Sequence, residues 1–384
     1  MGKILQASSI IASRTIYGLN WYTISPLYLA IASDLAINYG ELGIVAMAFL
    51  AGATIFQIPA GIFAAKFGNK HVAILGMLIL SCASLFSGLS WNFSSLIAAR
   101  FMLGIGAAFF FSPSLHTLRL IFEKRRQGIV VGAYNSAFNI GAGIALLSWG
   151  IISMHIGWRS SLILGGILGL ILTVENYFVL DDIRNENRAS FGEVLKNRNL
   201  ITIGIATAGF WGMNYTLTQF IDSYLVAYKA IPEVLAGYTS SMTLLGAIAG
   251  NMLIGELTDR KGRRKETLII LIIITALITL ATPFLNYYTL WPYVIAQGFL
   301  SGGVFALIYA ITMDEIELDE GLKPLSASII NSLNIGIGSF ASPLYTYTTS
   351  LIAPDAGWYA ISILSLALLT LIIKTNLKHS RLPV

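Results

Sequence analysis

The sequence predicts an all-α membrane protein of twelve transmembrane helices, arranged as two pseudo-symmetric halves of six. Three observations lead there. Apolar runs recur from end to end in a chain whose mean hydropathy is +0.74, and a spanning helix needs about 20 predominantly apolar residues. Basic residues sort to alternate loops. Short motifs return at a spacing of 194 or 195 residues, the mark of an internal repeat.

The spans follow in order. The first, 8–32, comes after a short "MGK" and lacks a small-residue cleavage site, so it reads as a retained helix and not a removed signal. It carries Arg14 and "YGLNWYT" at 17–23. The second and third, 40–62 and 70–90, meet at "GIFAAKFGNK", 61–70. The fourth, 94–118, holds Arg100 in "RFMLGIGAA", and the fifth, 127–153, holds "GAYNSAFNIGAGIA" at 132–145. The sixth, 159–180, closes a first half of residues 1–180. Residues 181–199, "DDIRNENRASFGEVLKNRN", form the longest polar stretch and read as a cytoplasmic linker. The second half, 200–384, begins with span 200–227, which contains "WGMNYT" at 211–216 and Asp222. Spans 233–256 and 266–285 flank "GELTDRKGRR", 255–264, and spans 290–312, 323–350 and 354–373 complete the chain.

Charge supplies the orientation. Of 384 residues only 11% are charged, and the formal net charge is +5. With the N-terminus inside, the inner loops collect Lys66, Lys70, Lys124, Arg125, Arg126, Arg184, Arg188, Lys196, Arg198, the 260–265 knot, Lys374, Lys378 and Arg381. The outer loops hold Arg159 and Lys229. This asymmetry is the positive-inside rule; it puts both termini in the cytoplasm of a cell-membrane protein and gives the basic balance a topological meaning with no nucleic-acid partner. Trp91, Trp158, Trp291 and Trp358 fall at the outer helix ends, where amphipathic rings prefer the interface. Cys82 is the single cysteine, which excludes an intrachain disulfide.

The repeat is in register. Gly18 and Asn20 fall on Gly212 and Asn214, and Gly61 and Gly68 on Gly255 and Gly262, each 194 residues on. "NIGAG" at 139–143 falls on "NIGIG" at 334–338, 195 residues on. Parallel six-helix repeats place a transporter's substrate near the bilayer midplane, where the halves meet.

"GELTDRKGRR" resembles the loop between the second and third helices of each half in the major facilitator superfamily. Gly255, Asp259, Arg260, Gly262, Arg263 and Arg264 satisfy every position of that pattern. Its chemistry is that of a conformational lock. Gly255 is expected to end a helix and admit a neighbouring backbone, Gly262 to permit a tight reversal, and Asp259 to accept from Arg side chains or a helix N-terminus. The copy at 61–70 has Ala65 for the acid, Lys66 for the arginine and Asn69 for a basic residue, so the turn survives and the acid–arginine pair does not. "RFMLGIGAA" resembles the fourth-helix pattern of the same family, in which such an arginine tunes a membrane carboxylate of proton-coupled members. Gly104 and Gly106 suit close helix packing. The fifth helix keeps Gly132, Gly141 and Gly143 but lacks the proline that accompanies drug antiport.

Projected onto the helices that line the cavity in this superfamily, the resemblance implies a polar and aromatic set. It includes Asn20, Tyr22, Asn139, Asn214, Tyr215, Gln219 and Asn334 as substrate contacts, and Arg14, an ionisable residue in the inner third of the first span, is a further candidate that either binds an anionic group or reaches the inner surface. Intramembrane ionisable residues are functional candidates by default: Asp222 is the expected proton carrier and Arg100 its modulator. No histidine spacing suits a metal, no cofactor is expected, and HExxH, nucleophile-elbow and phosphate-loop motifs are absent, which speaks against an enzyme. The reading is a monomeric secondary transporter in a lipid bilayer, moving a small polar or anionic organic metabolite with protons. Proton-coupled export of amphipathic compounds, facilitated uniport and a transporter-fold sensor stand as alternatives.

Overall fold

The computed structural model describes residues 2–123, 127–181, 194–261, 263–314, 316 and 323–374. The chain forms two compact units, Met1–Asn38 with Ile44–Arg188, and Tyr39–Gly43 with Ala189–Val384.

In the first unit, α1 (Lys3–Tyr22) is followed by a 3-10 turn at Ser25–Leu27 and by α2 (Tyr28–Leu35). Pro26 sits inside that turn and has no N–H to give to a continuous ladder, so the first span is one path broken near its end. Helix α3 (Tyr39–Phe67) and α4 (Asn69–Gly88) are separated by Gly68 alone, at φ 90°. A side chain rarely tolerates that conformation, which is the physical content of the glycine kept in the faded copy. Helix α5 (Phe93–Ile121) starts with a reciprocal capping box between Asn92 and Ser95. Helix α6 (Gln127–Val179) runs for 53 residues and holds both the fifth and sixth spans, broken only at Gly157, where φ is 78°.

The helices of this unit approach closely where side chains are missing. A Cβ on Gly104 would strike the Phe49 carbonyl and one on Gly106 the Leu80 backbone, as their expected packing role requires. Gly18 of α1 and Gly141 of α6 face each other's helices in the same way. An added Cβ on Gly132 or Gly143 would meet nothing within 4 Å. At one end of the bundle Gln6 donates to Asp181 at 2.6 Å, Ser9 donates to Asn176 at 3.2 Å, and Asn176 donates to Ser13 at 2.6 Å. At the other end Arg159 pairs with Asp34 and donates to the Ser90 carbonyl at 2.9 Å. The guanidinium hydrogen bond holds the exposed Asp34 carboxyl below the ordinary carboxylate range.

The second unit contains α7 (Arg198–Lys229), α8 (Glu233–Lys261), α9 (Arg264–Leu280), a 3-10 turn at Thr282–Phe284, and α10 (Leu290–Asp314). It continues through α11 (Lys323–Gly338), α12 (Ala341–Leu351), α13 (Ala356–Leu369) and a last 3-10 stretch, Thr370–Lys374. Asn197 caps α7 by accepting from the Leu200 N–H at 3.0 Å. The eleventh span is thus two helices in sequence, and the twelfth ends in a tightened turn.

Among the described residues, six helices are long and apolar enough to cross a bilayer by themselves. One of these, Ile129–Val179, is 51 residues long and spans twice. Of the rest, α2, α9, α11 and α12 are short or broken, while α1, α7 and α8 carry amides, hydroxyls and ionisable groups. Two tryptophans depart from the expected interfacial belt. Trp91 is 77% exposed, but Trp158 and Trp358 are 6% and 0% exposed. Trp158 donates its ring N–H to Asp34 at 3.3 Å, and Trp358 packs 4.4 Å from Tyr345 and 5.3 Å from Tyr224.

Candidate functional site

In the first unit Arg14 is 6% exposed. Its guanidinium carbon lies 4.3 Å from the ring centroid of Tyr17, 4.8 Å from Phe111, 4.6 Å from Tyr134 and 4.7 Å from Phe138. Arg14 and Tyr17 share a face of α1 because they are three residues apart, and Tyr134 and Phe138 share a face of α6 because they are four apart. Phe111 comes from α5. The Tyr134 hydroxyl donates to the Phe111 carbonyl at 3.0 Å and pairs with Ser114 at 2.7 Å, which fixes its ring. Nε and Nη1 of Arg14 are buried and have no hydrogen-bond partner. A buried cation needs an anion or acceptors to offset its desolvation, and the rings supply only part of that through cation–π attraction, on the order of 0.5–2 kcal/mol.

The rings continue beyond Arg14. Trp21 lies 5.8 Å from Tyr17, 5.7 Å from Phe138 and 4.7 Å from Phe49. The Arg100 guanidinium in turn lies 5.1 Å from the Phe49 centroid, and Arg100 is wholly buried. An aromatic ladder therefore connects the two intramembrane arginines of this unit.

The other substrate candidates of the first unit sit around this ladder without joining the Arg14 box. Tyr22 is buried, 6.3 Å from Phe138. Asn139 is half-buried, one residue past Phe138. Asn20 is fully buried; its amide donates to the Ile16 carbonyl at 2.9 Å. Its oxygen lies where a Cβ on Gly165 would come within 3.2 Å, so it is turned toward α6.

In the second unit Asp222 is 5% exposed. One carboxyl oxygen accepts from Ser240 of α8, and the other is buried with no hydrogen-bond partner. Tyr215 stacks on Trp211 with centroids 5.2 Å apart and planes 10° apart. Gln219 is fully buried. Asn214 is half-buried, with an amide oxygen that has no hydrogen-bond partner. Asn334 accepts from Thr207 at 3.0 Å and ties α11 to α7.

The loop motif is partly described. The side chains of Asp259 and Arg260, and Gly262 as a whole, lie outside the described residues. Gly255 departs from expectation: it lies within α8, not at its end, and a Cβ there would meet only Ala306, at 3.9 Å. No backbone approaches it, because the facing helix presents a side chain at that level. Arg263 is exposed and precedes α9, while Arg264 opens that helix and is 7% exposed.

Sequence reasoning found Arg14 and Asp222 because ionisable residues in apolar spans stand out. It did not single out Tyr17, Phe111, Tyr134, Phe138 or Ser240, most of whose contacts here cross long sequence separations. A weak signal was present for the box: Tyr134 and Phe138 are aromatics on one face of a helix read mainly for its glycines.

The Major Facilitator Superfamily model matches residues 10–231 and 205–382. A protein described as a nitrite extrusion protein of Bacillus subtilis (strain 168) is 23% identical over 375 residues, 94% of this chain and 90% of that protein. A probable nitrate transporter, NarT, of Staphylococcus haemolyticus is 26% identical over 346 residues, 86% of each. A probable galactarate/D-glucarate transporter, GudP, of Bacillus subtilis is 24% identical over 361 residues, 82% of this chain and 78% of the relative. Among solved structures, a mutant form of the nucleoside transporter NupG superposes with a TM-score of 0.80 at 12% identity, covering 97% of this chain and 99% of its own. With the family match spanning both repeats, the chain belongs to the major facilitator superfamily, as a multi-pass secondary transporter of small substrates and not an enzyme.

Proposed function

We propose that this chain takes up a small polar or anionic organic metabolite together with protons, as a monomer working by alternating access. The observation that carries this reading is Arg14: a buried guanidinium, walled by four rings, with two nitrogens that lack hydrogen-bond partners. The names of two relatives, a nitrite extrusion protein and a probable nitrate transporter, support an anion as cargo. Asp222 is the proton carrier in this reading: its second oxygen is buried and open to a proton. Arg100 modulates the cycle from the far end of the ladder, and the basic loops keep both termini in the cytoplasm. Export is the second reading, favoured by the name of one relative.

The test is flux in proteoliposomes loaded with a pH dye and offered pools of carboxylates, inorganic oxyanions, sugars and amphipathic cations. Acidification by an anion pool, lost in Arg14→Gln and in Asp222→Asn, is the expected result. Acidification by cations alone, or anion-driven acidification that survives Asp222→Asn, refutes it. Counterflow of labelled anion without a proton signal replaces symport by uniport.

A further inference from the structure

We propose that the Arg14 box selects its anion by charge number and hydration: it takes one monovalent, planar, weakly hydrated oxyanion and rejects dianions, whatever organic body they carry. This rests on the reading of Arg14 above as the anion-binding group, and it shifts the preferred cargo from an organic anion to a small inorganic monoanion.

The charge count comes from the surroundings. The guanidinium brings one positive charge, and the groups packed against it are the rings of Tyr17, Phe111, Tyr134 and Phe138. Among the described residues Arg14 has no ion-pair partner. Arg100, on α5, packs against Phe49 and not against these rings. One anionic charge is thus offset on arrival, and a second would enter a ring-lined space unpaired, where an uncompensated charge is strongly disfavoured.

The hydration argument comes from the donors. An anion leaving water must replace its shell with N–H or O–H groups. Here Nε and Nη1 of Arg14 are the donors without partners. The Tyr134 hydroxyl is already committed to the Phe111 carbonyl at 3.0 Å and to Ser114 at 2.7 Å, the Tyr17 hydroxyl is engaged by Arg14 and Trp21, and Phe111 and Phe138 have none to give. Nε and Nη1 belong to one rigid planar fork and point in different directions within its plane, which suits the in-plane oxygens of a planar anion. They serve a strongly hydrated anion poorly. The guanidinium is itself weakly hydrated and stacks on rings, so the site loses least when its partner is equally poorly hydrated.

The experiment is equilibrium binding to purified protein in nanodiscs, at constant ionic strength, with nitrate, nitrite, formate, acetate, malonate and sulfate as probes. Nitrate and nitrite are expected to bind at least about tenfold more tightly than acetate, equivalent to about 1.4 kcal/mol, and malonate and sulfate to show no saturable binding. Arg14→Gln is expected to abolish binding. Arg14→Lys, which keeps the charge without the fork, retains folding and weakens nitrate more than acetate. Phe138→Gln, which puts a hydrogen-bonding amide into the wall, is expected to narrow the nitrate-to-acetate ratio. Dianions that bind through Arg14 as tightly as monoanions overturn the inference and leave anion transport standing. An unchanged ratio in Phe138→Gln overturns the hydration argument. Nitrate binding unaffected in both Arg14 variants overturns the site itself. Because the measurement needs no flux, the predicted order found in a protein that moves no anion sinks the transport reading alone.

Discussion

Gly141 and Gly143 lie two residues apart in α6, and alanine is expected to act in opposite directions at the two. A Cβ on Gly141 would stand 2.7 Å from the Thr15 carbonyl carbon and 2.9 Å from the Leu19 nitrogen, and nearer still to the Thr15 oxygen. Ordinary contact begins at 3.4 Å, the obstacles are backbone, and the nearest, the Thr15 oxygen, sets the displacement, so α1 and α6 must part by more than about 1 Å. A gap of about 0.5–1 Å already forfeits a quarter to a half of each pairwise attraction along the seam, and overpacking of this kind costs about 1–3 kcal/mol. Helix propensity returns about 0.5–1 kcal/mol. The net loss for Gly141→Ala is about 1–2 kcal/mol, a factor of roughly 5–30 in the folded ratio. An added Cβ on Gly143 would meet nothing within 4 Å, so Gly143→Ala keeps only the propensity gain of about 0.5–1 kcal/mol. Thermal unfolding in detergent, followed with a thiol-reactive dye on Cys82, reads both. A Gly141→Ala protein as stable as Gly143→Ala refutes the packing argument.

Other outcomes follow from the same geometry. On the function proposed above, Asp222→Asn is expected to lose substrate-driven acidification while nitrate binding stays within about twofold of wild type, as a proton carrier distinct from the cargo site requires; joint loss of both signals would show the two are not separate. Asn176→Leu strands the buried Ser9 and Ser13 hydroxyls and is expected to lower stability by about 1–3 kcal/mol, with recovery in Ser9→Ala/Ser13→Ala/Asn176→Leu, because removing both partners is nearly neutral. Asp34 has its pKa depressed by Arg159, so its contribution to stability is complete above its unfolded value of 3.8 and is lost as pH falls below it. Melting curves should therefore show a steeper acid limb for wild type than for Asp34→Asn; parallel limbs would mean the pair is not formed.

The fold was legible because hydropathy counts spans and the repeat groups them. What it did not show were breaks within spans. Pro26 splits the first path into two helices, and the eleventh parts at Ser339 and Phe340, because apolar composition carries no information on local φ and ψ. Burial of Trp158 and Trp358 was hidden for a related reason: an aromatic at a helix end looks interfacial until Asp34 or Tyr345 is brought beside it. Asn20 shows the limit for the site. It recurs with its mate Asn214, yet its oxygen is turned toward Gly165, because a repeat preserves position along a helix without saying which neighbour a side chain meets. Arg14 was visible as a charge; its four walls come from three helices and had no local signature.

The repeat has one more consequence, in how the molecule can change over generations. Moved by 194 residues, Arg14 falls on Ala208 and Asp222 falls on Tyr28, both buried and neutral. Two descendants of one ancestral bundle have therefore come to hold opposite charges at positions their counterparts leave blank. On the function proposed above, the part that recognises cargo and the part that holds the driving ion would be inherited as separate modules. On that reading a lineage would exchange one anion for another by altering the walls around Arg14 while the carboxylate and its serine stay as they are, a route to new cargoes without rebuilding the engine.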